Sequence, residues 1–186
     1  MPKLLAACVL GSLRPDDGTV GVTAIDKRAV DGPVKVWSYG LRADVQADRK
    51  SHGGLDKAVY AYAQEDAEYW EAETGHELPP GFFGENLRVE GLDVNASRLG
   101  DVWRIGEDVV LEVTSVRKPC QTFARWVEAN GVAPARGWVR RFGEAGRLGP
   151  YLRVLHGGTI RAGDEIAVAP APPGAPGLLD GFDPEE

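Results

Sequence analysis

Apolar residues along this chain recur mostly in short runs with a period of two, the spacing of strands rather than helices. Residues 4–10 and 20–25 are rich in Val, Leu, Ile and Ala and read as strands, joined by the turn-rich stretch GSLRPDDG. PVKVW, after Asp31-Gly32, alternates as a third. In KAVYAYA, residues 57–63, Ala58, Tyr60 and Tyr62 point one way and Val59 and Ala61 the other, which predicts a buried or half-buried strand. ENLRVEG, DVWRI, DVVLEVTSV, PYLRVLH and DEIAVA continue the series between Gly-containing turns.

Helical spacing interrupts it in a few places. QEDAEYWEAET, Gln64 to Thr74, sets Glu65 and Asp66 in a first turn, where the helix dipole favours anions, and is followed by Gly75 to end it. In QTFARWVEAN, Phe123, Trp126 and Val127 share a face, and PARGWVRRFGE offers a further helix. Pro79, Pro80, Gly81 and Gly84 exclude regular structure before ENLRVEG. With no internal repeat, the balance predicts a strand-rich α+β or barrel-like domain rather than β-α units alternating around a parallel sheet.

Composition narrows the class. A chain of 186 residues, 43% hydrophobic and 26% charged, suits one domain with a sizeable core. Residues 1–169 form that expected domain, and 170–186, PAPPGAPGLLDGFDPEE, read as a Pro-rich acidic tail in which Leu178, Leu179 and Phe182 are left to dock. No run approaches the roughly 20 apolar residues of a membrane span, and MPKLLAACVLGSL lacks a signal-peptide layout, so the expected location is cytoplasmic. Cys8 and Cys120 are expected to stay reduced. With three histidines, none at metal-site spacing, a closed zinc site or an iron–sulfur cluster lacks ligands, so the chain is expected to carry no electron-transfer centre of its own.

Charge is segregated. The net charge of −7 argues against general nucleic-acid binding. Between Arg117 and Arg161, however, nine basic residues face two acids, a local balance of +7. A site for a small anion and a solvated basic face fit that stretch equally well.

The sharpest chemical feature is VRKPC, residues 116–120, which places a thiol after Arg117 and Lys118 and ahead of a predicted helix. Neighbouring cations and a helix N-terminus both favour thiolate, which serves as a nucleophile or a soft metal ligand. A merely packed cysteine is the alternative, and it is the reading for Cys8. In SHGGLDKAVY, residues 51–60, Gly53 and Gly54 allow close backbone approach to a ligand, with His52, Asp56 and Lys57 nearby; a tight turn explains the glycines equally. FFGENL offers Asn86 as a hydrogen-bonding amide, or as a group that satisfies nearby backbone. GRLGPYLRV, with Arg147 and Tyr151, reads as a ligand loop or as a turn into a strand. No G-x-S-x-G, Walker A or dinucleotide fingerprint occurs.

These pieces follow one order: GPVKV, GLRADVQADRKSHGGLDKAVYAYAQED, PGFFGENL, LGDVWRIG, LEVTSVRKPC, GPYLRVL and IRAGDEI. From about residue 20 to 168 the sequence resembles the MOSC family, in its YiiM-like bacterial branch. The resemblance implies a β-barrel-rich fold that binds molybdenum cofactor, with Cys120 at the family's invariant cysteine as metal ligand and catalytic residue. It also implies that His52, Gly53, Gly54, Asp56, Lys57, Asn86, Arg117, Lys118 and Arg147 contribute to cofactor binding, the basic stretch meeting the pterin phosphate. The implied activity is reduction of N-hydroxylated bases, hydroxylamines or amidoximes, with electrons from a separate reductase. A cofactor carrier without turnover and a sulfur carrier using a Cys120 persulfide are the alternatives. Ala43 stands where the family pattern commonly has Gly, and Leu55 where Pro often follows HGG. A Pro-rich tail stands where many relatives continue into three helices. Homodimerisation is left open, and neither nucleic acid nor membrane is an expected partner.

Overall fold

The alternation around residues 57–63 is realised with both of its faces buried. In the computed structural model, which describes residues 1–48 and 52–184, Val59, Ala61 and Ala63 enter an aliphatic core while Tyr60 and Tyr62 enter an aromatic one. Ala58 differs from the expectation: it packs with the aliphatic set, because it ends a 3-10 turn at Leu55–Lys57 and the strand begins only at Val59.

Eleven strands and three α-helices occur among the described residues. The strands are β1 (Lys3–Pro15), β2 (Val22–Ala29), β3 (Val34–Trp37), β4 (Gly40–Leu41), β5 (Val59–Ala63), β6 (Leu87–Glu90), β7 (Val102–Ile105), β8 (Val109–Val116), β9 (Pro150–His156), β10 (Gly158–Ile160) and β11 (Ile166–Ala169). The helices are α1 (Gln64–Thr74), α2 (Gln121–Ala129) and α3 (Trp138–Glu144). Gly75, left-handed at φ 71, ends α1 where the sequence placed its stop. The third helix is shorter than PARGWVRRFGE, because Gly137 at φ 78 breaks the backbone just before Trp138.

One sheet has eight strands in the order β11-β7-β8-β9-β5-β6-β1-β2, and a second has three in the order β10-β3-β4. Pairing is antiparallel except between β5 and β6, whose parallel register is reached through α1 and the Pro-Gly stretch after it. The large sheet curls around the aliphatic core until its two ends approach. The N–H of Leu4 reaches Asp164 O at 2.8 Å, and that of Ile166 reaches Pro2 O at 2.9 Å. The terminal strands β11 and β2 do not pair with each other, so the architecture is a strand-rich α+β fold built on a curled sheet.

Phe123, Phe142, Trp70 and Trp138 bring the helices against the aromatic face of β5, where Tyr62 stacks on Phe83 at 4.2 Å between centroids. The hydroxyls of Tyr60 and Tyr62 donate to Leu148 O and Arg147 O at 2.7 and 2.9 Å, so neither is orphaned by burial. Behind this wall, the fully buried Glu85 carboxylate accepts from Gly81 N, Phe83 N and the Arg88 guanidinium. The Arg88 guanidinium in turn donates to Gln64 Oε1 and to the carbonyls of Leu78 and Pro79. That pair organises the stretch the sequence marked only as irregular.

The C-terminal stretch is docked. Leu178 N donates to Ser97 O at 2.7 Å, Ala171 N bonds the Asp101 carboxylate at 2.7 Å, and the Leu178 side chain lies in the aliphatic core. Leu179 and Phe182 pack on the aromatic core. The acids Glu185 and Glu186 fall outside the described residues, as do Arg49, Lys50 and Ser51 of the HGG-containing motif. No helix among the described residues is long and apolar enough to cross a membrane.

Candidate functional site

At the end of β8 the main chain is still held by its neighbour, Arg117 N donating to Gly149 O at 3.1 Å, before Lys118 and Pro119 carry it away from the sheet. Cys120 follows in an extended conformation, φ −142 and ψ 167, as the residue that opens α2. The local sequence dictates this arrangement: Pro119 lacks a backbone donor, and apolar Phe123 and Val127 at helical spacing seat the helix on the aromatic core. Burial of the thiol opposes its ionisation. A hydrogen bond from His52, the charge of Arg117 and the Phe123 backbone N–H outweigh that cost and bring the pKa down to about 6. Cys8 behaves oppositely: its thiol is buried in β1, and desolvation pushes its pKa up. Both cysteines are free.

His52 reaches the site from the loop ahead of β5, and its Nδ1 lies 2.9 Å from the Tyr151 hydroxyl of β9. Burial pushes the Tyr151 pKa up to about 12 against the opposing charge of Arg117. Arg117 is 5% exposed, and its guanidinium lies over the rings of Phe123 and Tyr60, 4.9 and 5.6 Å from their centroids. Lys57 Nζ sits 5.6 Å from the Tyr151 ring.

A cavity of about 390 Å3 opens from Cys120, within the usual range for small-molecule sites. Its lining includes His52, Lys57, Tyr60, Asn86, Arg117 and Tyr151. Another wall is a buried ion pair, Lys27 Nζ to Asp44 at 2.6 Å, whose carboxylate also accepts from Asn86 Nδ2 at 2.7 Å. The opposite edge of Asn86 accepts from Tyr60 N at 3.1 Å. Gln46 shapes the adjoining loop, accepting from Gly54 N at 2.9 Å and donating to Tyr39 O at 3.1 Å.

Five of the ten residues expected at the cofactor site therefore converge: His52, Lys57, Asn86, Arg117 and Cys120. Asn86 meets both of its readings, since it satisfies backbone and still lines the cavity. Gly53 and Gly54 form the loop that presents His52 rather than the cavity wall. The remaining three lie elsewhere. Asp56 is exposed and pairs with Arg153 at 3.3 Å, Lys118 is on the surface, and Arg147 pairs with Asp66 at 2.6 Å in a separate cleft beside Gly91 and Asn95.

The basic stretch does not make one positive face either. Arg125, Arg140, Arg141 and Arg153 are paired with Asp16, Glu144, Glu73 and Glu112. Three of these four acids lie outside the stretch and return to neutralise it. Tyr151, from the GRLGPYLRV stretch read as a ligand loop or a turn into a strand, also lines the cavity, whereas Lys27, Asp44, Gln46 and Asp16 line or shape the site without having been assigned there. Only GLRADVQAD, a polar run between two strands, carried a signal for two of them. Among the described residues, no cluster of three or more His, Cys, Asp or Glu is arranged to hold a metal ion.

The sequence model of the MOSC domain matches residues 48–167. The uncharacterised protein YflK of Bacillus subtilis (strain 168) is 37% identical over 150 residues, 81% of this chain and 65% of that protein. A protein named reductase from Gibberella moniliformis (strain M3125 / FGSC 7600) is 33% identical over 156 residues, again 81% of this chain but 26% of that protein. The chain thus spans less than two thirds of the length of these relatives. The crystal structure of YiiM from Geobacillus stearothermophilus superposes with a TM-score of 0.73 at 27% identity, covering 96% of this chain and 80% of that one.

Proposed function

The chain belongs to the MOSC domain family, and from that premise we propose that it binds molybdenum cofactor through Cys120 and reduces N-hydroxylated compounds. The observation that carries the reading is a thiolate, titrating at about 6, set on a cavity sized for a small molecule. A thiolate is the soft donor that suits such a metal, and it requires no further protein ligand where the described residues cluster none. The donor set fits.

Cys120 would hold the metal, while Lys57 and Asn86 would meet the polar edge of the pterin and the loop of Gly53 and Gly54 would carry His52 to the site. When bound, the cofactor supplies the two-electron chemistry by which oxygen leaves nitrogen. Arg117 keeps the thiolate ionised by its charge, and the Tyr60 and Phe123 rings hold it in place. His52, fixed by Tyr151, orients the sulfur. Asp56, Lys118 and Arg147 lie away from this cavity and have no place in the proposal. The phosphate contact falls to Lys57 and Arg117 rather than to the basic stretch as a whole.

Overall, the N–O bond breaks, oxygen leaves as water, and two electrons come from a separate reductase with protons from solvent. The reductase-named relative, of which this chain matches 26%, supports an association of this domain with reduction. The reading includes a β-barrel for the curled sheet and a cytoplasmic location, which two free cysteines suit.

The experiment is elemental analysis and turnover of an N-hydroxylated base, with a reduced viologen as donor, on protein from a host that makes the cofactor. Bound molybdenum and turnover are expected, and both should disappear in Cys120→Ser. Retention of both in that variant overturns the assignment. Molybdenum without turnover would make the protein a carrier, and added sulfur on Cys120 without molybdenum a sulfur carrier.

A further inference from the structure

The ribbon formed by β1 and β2 runs well past the body of the sheet. Beyond Leu10 its outward positions are exposed, Leu13, Val20 and Val22 among them, and two register shifts interrupt the pairing. Its stem is supported where Ile25 packs on the aromatic core, whereas the tip beyond is a two-stranded ribbon, marginally stable by itself. Its tip nevertheless reaches the cavity, where Asp16, Gly18, Thr19, Val20 and Val22 share the lining with Cys120 and His52.

The Asp16 carboxylate anchors the tip to α2. Asp16 Oδ1 accepts from Arg125 Nε at 2.9 Å, and Oδ2 accepts from Arg125 Nη2 and Thr122 Oγ1, both at 2.8 Å. Oδ2 also accepts from Gly18 N at 3.1 Å, folding the turn onto the same anchor. Both partners stand on α2 within five residues of Cys120, and the contacts span 106 and 109 positions of sequence. The bidentate geometry gives an ion pair with defined direction rather than a diffuse attraction. The carboxylate is 9% exposed and the guanidinium 34%. Lower on the ribbon, Arg14 lies 5.2 Å from the Trp126 ring and is tied to Asp26 of the ribbon itself, so it steadies the stem and not the tip.

We propose that Asp16 is a specificity-determining positioning residue: by latching the ribbon tip to α2 it sets the size of molecule that reaches Cys120. It touches no reacting atom; it acts through the tip. The inference rests on the Cys120 cavity being the functional site, but not on the cofactor that fills it.

The test reads access to the thiol in full-length protein purified without cofactor. Alkylation of Cys120 is followed by peptide mass spectrometry with two reagents, iodoacetamide as the small probe and fluorescein maleimide as the bulky one. Asp16→Ala and Arg125→Ala should each raise the ratio of bulky to small rate constants roughly tenfold, the scale expected for losing charged hydrogen bonds. The exchanged pair, Asp16→Arg with Arg125→Asp, should bring the ratio back toward the parent value. An unchanged ratio in both single variants overturns the proposal, and so does an equal acceleration of both reagents, which would report a change in the thiolate and not in access. Failure of the molybdenum assay leaves this ratio untouched, so the two ideas fail separately.

Discussion

His52 Nδ1 stands 2.9 Å from the hydroxyl of Tyr151, a residue 99 positions further along the chain. Tyr151 stays protonated, its pKa pushed up to about 12 by burial against the opposing charge of Arg117. Its hydroxyl and Nδ1 hold each other, and the same imidazole hydrogen-bonds the Cys120 thiolate and favours its ionised form. Arg117, Tyr151, His52 and Cys120 form one connected group.

This arrangement predicts the pH dependence of the thiol in cofactor-free protein. A folded-state value of about 6, against 9.0 for an unperturbed cysteine, means that the thiolate is present above about pH 6 and is lost as pH falls through that value. Iodoacetamide should therefore react with half-maximal rate near pH 6. Removing the donor in His52→Gln, or its anchor in Tyr151→Phe, should move the midpoint upward toward the unperturbed value of 9.0. Cys8, buried and with its pKa raised, should stay unmodified until the protein unfolds. A midpoint that ignores both substitutions would disprove the chain of bonds.

Ala43 has φ 72, the one positive value among non-glycine residues described. That conformation costs an L-residue about 1 kcal/mol or more, which gives a physical reason for the glycine common at this place in the resembling family. Ala43→Gly should therefore raise the thermal midpoint by a few degrees, a shift corresponding to about 1 kcal/mol for a domain of this size. Differential scanning calorimetry checks it, and a lower midpoint would show that unfolded-state entropy wins at this position.

Leu178 belongs to a stretch whose composition reads as a tail, yet it is 3% exposed and sits in the aliphatic core. Leu178→Ala should cost about 2–4 kcal/mol, the range for emptying a buried leucine site, where a solvated tail would tolerate it. The urea midpoint reports the difference. An unchanged midpoint would show that the docked stretch contributes no stability.

How much of this was legible in sequence depended on range. Local signals were readable: Gly75 as the stop of α1, the helix start at Cys120, the alternation of Val59 and Tyr60. What those signals leave out is which distant group meets which. Arg147 and Arg117 look alike in a basic stretch, but Asp66, pointing from α1, claims Arg147, whereas Tyr60 and Phe123 sandwich Arg117 beside the thiol. Glu85 carries no sequence signal of burial and is fully buried against Arg88, because the Pro-Gly stretch needs its backbone donors satisfied. Tyr151 stood beside Arg147 in a stretch read as a ligand loop or a strand start, and what the sequence left out is its pairing with Tyr60 across the sheet and its contact with His52.

The Lys27–Asp44 pair tests whether the polar wall of the cavity is structural as well as functional. Both side chains are nearly buried, 9% and 7% exposed, so each charge depends on the other. Asp44→Ala strands the Lys27 ammonium and takes one acceptor from Asn86, whose amide keeps only Cys8 O at 3.2 Å. The expected cost is about 3 kcal/mol, at the low end for breaking a buried pair. Adding Lys27→Met removes the stranded charge and should recover part of that loss, so the double variant is expected to be more stable than Asp44→Ala alone. The comparison is a double-mutant cycle in urea, with Lys27→Met completing it. Strict additivity would mean that the two charges are independently solvated, and the wall would then owe its shape to the backbone around Ala43 rather than to the ion pair.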